Sequence, residues 1–208
     1  MSDTIQGTGA WLAARVGKVT SSRMADVLAV SKRDGIPLEA RNKYMAEIVA
    51  ERLTGRTQEH YVSGAMQWGL DYEPLARDLY ELTYGDVVQT GFVTHPRISA
   101  FGASPDGLVG EDGLIEIKCL TLANHIMVLD TEAIDPRYYA QIQAQLSCTE
   151  RAWCDYFGYY PELNEFESFV KRIERDDVFI ADAEANVETF LAEVTATVDR
   201  LRKKRGVA

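Results

Sequence analysis

The sequence predicts a mixed α/β (α+β) protein in which helices flank a central sheet. Three observations carry that expectation. Residues 39–53 and 65–83 repeat apolar side chains at the spacing of amphipathic helices. Residues 86–119 and 151–173 alternate instead, and are rich in β-branched and aromatic side chains. The order along the chain is helices, a meander of strands, a helix, two strands and a last helix, which suits a sheet covered by helices.

Taken in order, Thr20-Ser21-Ser22 ahead of MADVLAV predicts a short helix from Ser22 to Val30, with hydroxyls as N-caps. SKRDGIPL is a turn-rich basic loop. Glu39 to Leu53 is the next helix, with Tyr44, Met45, Ile48, Val49 and Leu53 on one stripe and Gly55 at its C-terminal end. RTQEHYVSG connects it to a longer helix from Ala65 to Thr83. Pro74 inside that helix costs about 3 kcal/mol and predicts a break or kink near Glu73. Asp86 to Thr94 reads as a strand, and Ile98–Ala103, Gly107–Val109 and Gly113–Cys119 complete a β-meander. Thr121 to Asp130 is a short helix. Asp135-Pro136 opens another that runs to about Ser147, with proline at its first position. Arg151–Tyr160 and Glu165–Ile173 are strands. Asp176 to Lys204 is a long terminal helix with Ala185, Phe190, Leu191, Val194 and Val198 inward, and its RLRKKRG end suits the negative pole of the helix.

The 208 residues are expected to form one domain: a helical part over 1–85, the meander over 86–120, a helix and strands over 121–173, and the terminal helix over 174–206. No apolar run approaches a membrane span. MSDTIQGTGAW lacks the basic and apolar regions of a signal peptide, so a cytoplasmic protein is expected. Cys119, Cys148 and Cys154 form no C-x-x-C pair, which disfavours structural zinc and iron–sulfur clusters and leaves reduced thiols. His60, His95 and His125 show no ligand spacing. There is no Gly-rich phosphate loop followed by Lys-Ser/Thr.

A net charge of −10 argues against a protein that coats nucleic acid by bulk electrostatics. The charge is uneven, however. Residues 1–56 hold nine Lys/Arg against six Asp/Glu, for a net of +3, and the remainder carries −13. A DNA-binding protein with this chain must use a local basic surface in its first quarter and a cation at its acidic centre.

That acidic centre is FGASPDGLVGEDGLIEIKCL, residues 101–120. Strand residues two apart share a face, so Leu114, Glu116 and Lys118 point one way and Ile115, Ile117 and Cys119 the other. Asp106 and Glu116 are a hairpin apart and can converge on one hard cation, to which Ile117 adds its backbone carbonyl. With Lys118 beside them they form the set a metal-assisted phosphodiester hydrolase needs. A surface Asp in a turn and a solvated Glu/Lys pair would give the same letters. Glu73 stands next to the unusual Pro74. Gln141 in YYAQIQAQL shares a helix face with Gln145, and either orients water, fixes Lys118 or is merely solvated. Arg15, Gly17, Lys18 and the hydroxyl of Ser22 make a phosphate pocket at a helix start.

In this order these pieces resemble the phage lambda exonuclease family, also called YqaJ-like viral recombinases, within the PD-(D/E)XK nuclease superfamily. The resemblance rests on Trp11, Arg15, Gly17, Thr20 and Ser22, then on Trp68, Gly69, Tyr72, Glu73 and Ala76. It continues through Ser104 to Leu108, Glu116, Lys118 and Cys119, and Ala140, Gln141 and Gln143. It spans residues 11–160. Two departures are Ser99 and Phe101, where some members carry an acidic residue, and Pro74.

The resemblance implies a restriction-endonuclease-like core and a Mg²⁺-dependent 5′→3′ exonuclease, with Mn²⁺ as the alternative cation. Such enzymes resect one strand of linear duplex DNA and leave a 3′ single strand for an annealing partner in phage recombination. It also implies a ring-shaped homotrimer threaded by DNA, in a host cell's cytoplasm if the chain is phage-encoded. Asp106, Glu116, the Ile117 carbonyl and Glu73 are then the metal set. Lys118 and Gln141 join Asp106, Glu116 and Glu73 as catalytic residues, and Arg15, Lys18 and Ser22 bind phosphate. The alternatives are a restriction- or repair-type endonuclease on the same core and a non-catalytic DNA-binding protein that kept the fold. The iron–sulfur exonucleases of CRISPR systems need a fourth cysteine.

Overall fold

The computed structural model describes residues 6–57 and 63–206; His60 lies outside them. Two mixed sheets lie between helices. Near the N-terminus, helix α1 (Gly9–Arg15) is followed by strand β1 (Val19–Thr20), a 3-10 turn at Ser21–Arg23 and a single-turn helix α2 (Met24–Val27). The hydroxyls at 20–22 cap nothing here: Thr20 makes no cap hydrogen bond, and its Oγ1 lies 3.3 Å from Ser22 Oγ. The expected helix over Ser22–Val30 is therefore shorter and tighter.

Helix α3 (Glu39–Thr54) ends at Gly55, whose left-handed backbone lets its N–H close on Glu51. Tyr44, Ile48 and Val49 are buried along it, whereas Leu53 is exposed. Helix α4 (Gly64–Tyr84) begins at Ser63, whose side chain accepts from Met66 N–H. It runs through Pro74 without the expected break. The carbonyl that loses its donor there belongs to Leu70, which is 61% exposed, so water can take up the bond.

The expected single meander is divided. The stretch read as one strand over Asp86–Thr94 is two short strands, β2 (Val87–Val88) and β3 (Val93–Thr94), in different sheets. Strand β4 (Phe101–Ala103) lies between β1, parallel, and β3, antiparallel. Strands β5 (Gly107–Val109), β6 (Gly113–Cys119), β7 (Trp153–Tyr159) and β8 (Ser168–Glu174) complete the larger sheet in the order β2-β5-β6-β7-β8. The β6–β7 pair is parallel and the others antiparallel. A 3-10 turn at Pro161–Phe166 delays β8 past its expected start at Glu165.

Between β6 and β7 run α5 (Leu122–Thr131) and α6 (Pro136–Thr149), the latter capped by the Asp135 carboxylate on Arg137 N–H. Helix α7 (Asp177–Lys204) is capped by Asp176. It buries Ile180, Ala183, Val187, Phe190, Val194 and Val198; Ala185, expected inward, is exposed.

The central strand β6 is covered on both faces, a condition that favours continuous apolar strands. Ile115 and Ile117 pack with Phe157, Tyr159 and, from α4, Ala76 and Tyr80. Leu114 packs with Tyr156, Ile142 and Leu146 on the opposite face. Helix α6 serves two cores. Ile142 and Leu146 face the large sheet, while Ala140, Ala144 and Cys148 join a cluster built from α2, α3, β4 and α7. No helix among the described residues is long and apolar enough to cross a membrane.

Strand β4 leads straight into the Ser104–Asp106 segment, and Gly102 at its centre admits no side chain. A Cβ there would lie 2.3 Å from Phe92 Cζ and 2.7 Å from the Val93 carbonyl oxygen. Gly102→Ala is expected to cost about 1–3 kcal/mol, because backbone cannot yield as a side-chain tip can. Urea unfolding measures this, and an unchanged midpoint would contradict the packing.

Candidate active site

The site forms at the start of β5, where β6 runs on past Gly107 with β7 as its remaining strand neighbour. Gly107 pairs with Ile115, so one further step places Asp106 opposite Glu116. Asp106 Oδ2 accepts the Ile117 N–H at 2.7 Å. The N–H and C=O of one strand residue point to the same edge. The Ile117 carbonyl therefore lies on the Asp106 side, beyond the start of β5. Gly107 is required at the bend, since a Cβ there would meet Val87 Cγ1 at 2.0 Å.

Glu116 is 1% exposed. It faces α6 and takes three donors: Lys118 Nζ and Gln141 Nε2 (2.5 Å) on Oε1, and Gln145 Nε2 (2.5 Å) on Oε2. A buried carboxylate is tolerable only with such partners. Lys118 Nζ also lies 4.9 Å from the centre of the Tyr138 ring. Burial opposes the charge on Lys118, but Glu116 and Asp106 outweigh it and hold the amine above the ordinary lysine range. Asp106 is under the opposite pressure. Desolvation first, then the charges of Glu116 and Glu73, push its carboxyl well above the usual range despite Lys118. Cys119 is pushed up to about 12 by burial, with Glu73 and Asp106 adding to it.

Glu73 approaches from α4, on the other side of the sheet. Its direct partner is Arg77, one turn on, and it reaches Asp106 through charge alone. Among the described residues no three His, Cys, Asp or Glu side chains form a group able to hold a metal ion. The oxygen set at hand is instead two carboxylates, Asp106 and Glu116, with the neighbouring Ile117 carbonyl. Among the described residues Asp106 Oδ1 has no hydrogen-bond partner. A cation between these oxygens would relieve the repulsion that raises Asp106, so this donor set fits a hard divalent metal.

Of the expected phosphate residues, Arg15 reaches the Asp106 segment through Ser104. Ser104 Oγ, two residues before Asp106, accepts from Trp11 Nε1 at 2.9 Å and from Arg15 Nη1 at 3.4 Å. Arg15 also lies over the Trp11 ring, 4.1 Å from its centre. Lys18 Nζ is 5.3 Å from the Phe92 ring centre. Ser22 is exposed beside Thr20. Gly17, read as a close approach to phosphate, is instead a close approach to α3: a Cβ on its left-handed backbone would meet Arg52 Cγ at 2.8 Å, and its N–H donates to Glu51 at 2.8 Å.

Three contributors escaped the sequence reading. Gln145 holds the second oxygen of Glu116; its i, i+4 relation to Gln141 was the available signal. Ser104 and Trp11 tie α1 to the Asp106 loop, and no local pattern announces a contact 93 residues apart. Gln143, which belongs to the same motif as Gln141, points elsewhere. It bridges the Glu174 carbonyl and the Asp176 N–H where β8 turns into α7.

A mixed sheet flanked by helices, carrying Asp106 and Glu116-Ile117-Lys118 at its centre, is a nuclease core of the PD-(D/E)XK type. Residues 10–152 match the YqaJ-like viral recombinase domain, and the chain belongs to that family, as a nuclease of the lambda-exonuclease class. Among solved structures, the alkaline exonuclease LHK-Exo from Laribacter hongkongensis is 45% identical over 96% of this chain and 98% of its own, with a TM-score of 0.88. The structure of LHK-Exo in complex with dAMP gives the same identity and coverage and a TM-score of 0.89. A phage-related exonuclease from Haemophilus somnus 129PT shares the fold at 15% identity, with a TM-score of 0.72 over 88% of this chain and 96% of that one. No curated protein matches the chain.

Gln145→Leu leaves Glu116 Oε2 buried without its donor. A loss of about 1–3 kcal/mol is expected. Equal unfolding midpoints for the variant and the parent would show that this bond contributes nothing.

Proposed function

We propose that the protein is a Mg²⁺-dependent 5′→3′ exonuclease that digests one strand of linear duplex DNA and leaves a 3′ single strand. The observation that carries the reading is the pairing of Asp106 with a buried Glu116 whose oxygens are held by Lys118, Gln141 and Gln145. A carboxylate buried at this cost, next to a second one pushed towards protonation, makes sense as half of a cation site.

In this proposal Asp106, Glu116 and the Ile117 carbonyl hold the metal, and Glu73 contributes from a greater distance through its charge. When bound, the cation supplies a water of lowered pKa and stabilises charge on the phosphate oxygens. Lys118 presents its ammonium to the reacting phosphate from the Glu116 side. Gln141 shares Glu116 Oε1 with Lys118, and so fixes the direction of both side chains. Arg15, Lys18 and Ser22, with Ser104, receive a phosphate of the substrate, which we take to be the 5′-terminal one. Mn²⁺ would serve the same oxygen ligands.

We further infer a homotrimeric ring around DNA. The support is the contrast between a net charge of −10 and a first quarter at +3, because a ring needs a basic lumen rather than a basic exterior. A single-strand annealing protein would then receive the 3′ strand, in the cytoplasm of a host cell. The free thiols of Cys119, Cys148 and Cys154 suit that reducing compartment.

Asp106→Ala and Lys118→Ala are each expected to reduce hydrolysis of linear duplex by at least about 100-fold while leaving the circular dichroism spectrum intact. Mg²⁺-dependent digestion by either variant at the parent rate would sink the assignment. Covalently closed circles should survive alongside linear DNA that is consumed, and their cleavage would favour the endonuclease reading. Arg15→Ala should slow digestion of 5′-phosphorylated ends about tenfold or more relative to 5′-hydroxyl ends. Equal losses on both would remove the phosphate role.

A further inference from the structure

His95 lies outside the acidic centre and is 3% exposed. It follows β3, and its backbone N–H donates to the Phe101 carbonyl at 2.9 Å. Its ring stacks on Phe101 of β4, with the two centres 5.3 Å apart. Both ring nitrogens are engaged. Nδ1 is 3.2 Å from the Arg97 nitrogen and 3.0 Å from the Ile98 nitrogen, and accepts both N–H groups. Nε2 is 3.0 Å from Ser147 Oγ on α6 and 3.0 Å from Glu184 Oε1 on α7.

These partners fix the position of the proton. An imidazole nitrogen that accepts an N–H carries no hydrogen of its own. Nδ1 is therefore bare, and the neutral ring holds its proton on Nε2, aimed at Glu184. Ser147 gives its own proton to the same oxygen of Glu184, at 2.7 Å, and Arg97 closes on the other. Burial opposes the charge on Glu184, but the bonds from Ser147 and His95 and the charge of Arg97 outweigh it and hold the carboxyl below the usual range. Glu184 is thus an acceptor, which agrees with a donor at Nε2.

The charged groups facing the ring are Glu184 from α7 and Arg97 from its own turn. Helix α6 brings Ser147 and, beside Glu184, the Cys148 thiol, which burial and then Glu184 push well up and so keep uncharged. Strand β4 brings Phe101. Glu184 favours a second proton on the ring. That proton has only Nδ1 to occupy, where two N–H groups already point. The charged ring and the closed turn therefore exclude each other.

The turn opens directly into the reaction centre. The Ile98 carbonyl accepts the Phe101 N–H at 2.9 Å, and β4 then runs through Ala103 to Ser104 and Asp106. Ser104 is held by Trp11 and Arg15, and Asp106 by the Ile117 N–H. We propose that His95 is a positioning residue of the nuclease: its neutral ring latches the 95–98 turn and so sets Ser104 and Asp106, and its protonation releases them. The proposal rests on the reading of Asp106 as a metal ligand, and adds a group remote from the metal through which acid disables the centre.

Heteronuclear NMR of protein carrying isotope-labelled histidine reads the ring directly, with His95 identified by its contacts to Phe101. At about pH 8.5 the proton should sit on Nε2 and none on Nδ1. As the pH falls to about 5, ring protonation should move two further signals with the same midpoint: the Ile98 amide, and the Trp11 indole N–H that bonds Ser104. In His95→Asn the side-chain oxygen replaces Nδ1 as the acceptor of the turn and has no proton to gain, so the Trp11 signal should hold still. His95→Leu offers no acceptor. Digestion of linear duplex at saturating Mg²⁺ and about pH 8.5 should fall about tenfold in His95→Leu and recover to within about threefold of the parent in His95→Asn. Between about pH 8.5 and pH 6 the parent should lose about tenfold or more of its rate, and His95→Asn about threefold or less. A proton on Nδ1 at the higher pH, or a ring that stays neutral throughout, would overturn the proposal. So would a Trp11 signal that titrates alike in parent and His95→Asn, equal acid losses in the two, or His95→Asn no faster than His95→Leu. An inert parent protein overturns the exonuclease reading instead, and the NMR signals then judge the latch by themselves.

Discussion

Glu116 is the constraint around which the structure is arranged. A carboxylate that is 1% exposed in the middle of a sheet would be untenable alone. Its donors come from its own strand, through Lys118, and from two successive turns of α6, through Gln141 and Gln145. Satisfying Glu116 therefore fixes both the height and the rotation of α6 over β6. A shift of one residue along that helix would remove both amides at once. The cost of burying the charge becomes the specificity of the docking.

Because α6 is held in this way, it can join the two halves of the molecule. One of its apolar rows packs on the large sheet through Ile142 and Leu146, and another meets α3 and α7 through Ala140, Ala144 and Cys148. The smaller sheet is anchored to the same helix by polar contacts. His95, buried after β3, lies 3.0 Å from Ser147 Oγ on α6 and 3.0 Å from Glu184 Oε1 on α7. Its Nδ1 accepts the N–H groups of Arg97 and Ile98, which shapes the turn into β4. Since β4 runs directly into Ser104 and Asp106, this network carries the position of α6 round to the second carboxylate. Trp11 and Arg15 close the circuit by bonding Ser104 from α1.

Much of this was legible in the sequence, where local chemistry and period agree. The long helices came out within a residue or two, because caps such as Ser63 and Asp176 and the glycine at 55 mark their ends. Elsewhere the signals were ambiguous. Asp86–Thr94 alternates as one strand would, but a change of sheet between Val88 and Val93 leaves the alternation intact. Pro74 carries a strong local penalty, which exposure of Leu70 relieves. Thr20 and Ser22 have the composition of a cap, yet their hydroxyls face each other. In each case the deciding term was solvent exposure or a partner far along the chain.

By itself, the sequence determined the mixed helix-and-sheet architecture and the hairpin that sets Asp106 across from Glu116. It also determined the shared helix face of Gln141 and Gln145, since all of these follow from periods of two and 3.6. Only the tertiary structure decided that this face meets Glu116 and that Ser104 joins α1 to the Asp106 loop. It alone decided that Gln143 serves the β8–α7 corner and that a hydroxyl at Tyr156 lies buried beside Lys118. Those outcomes depend on contacts between segments 25 to 93 residues apart. Their free energies are set by what is excluded from water once the layers close, and no local spacing encodes that.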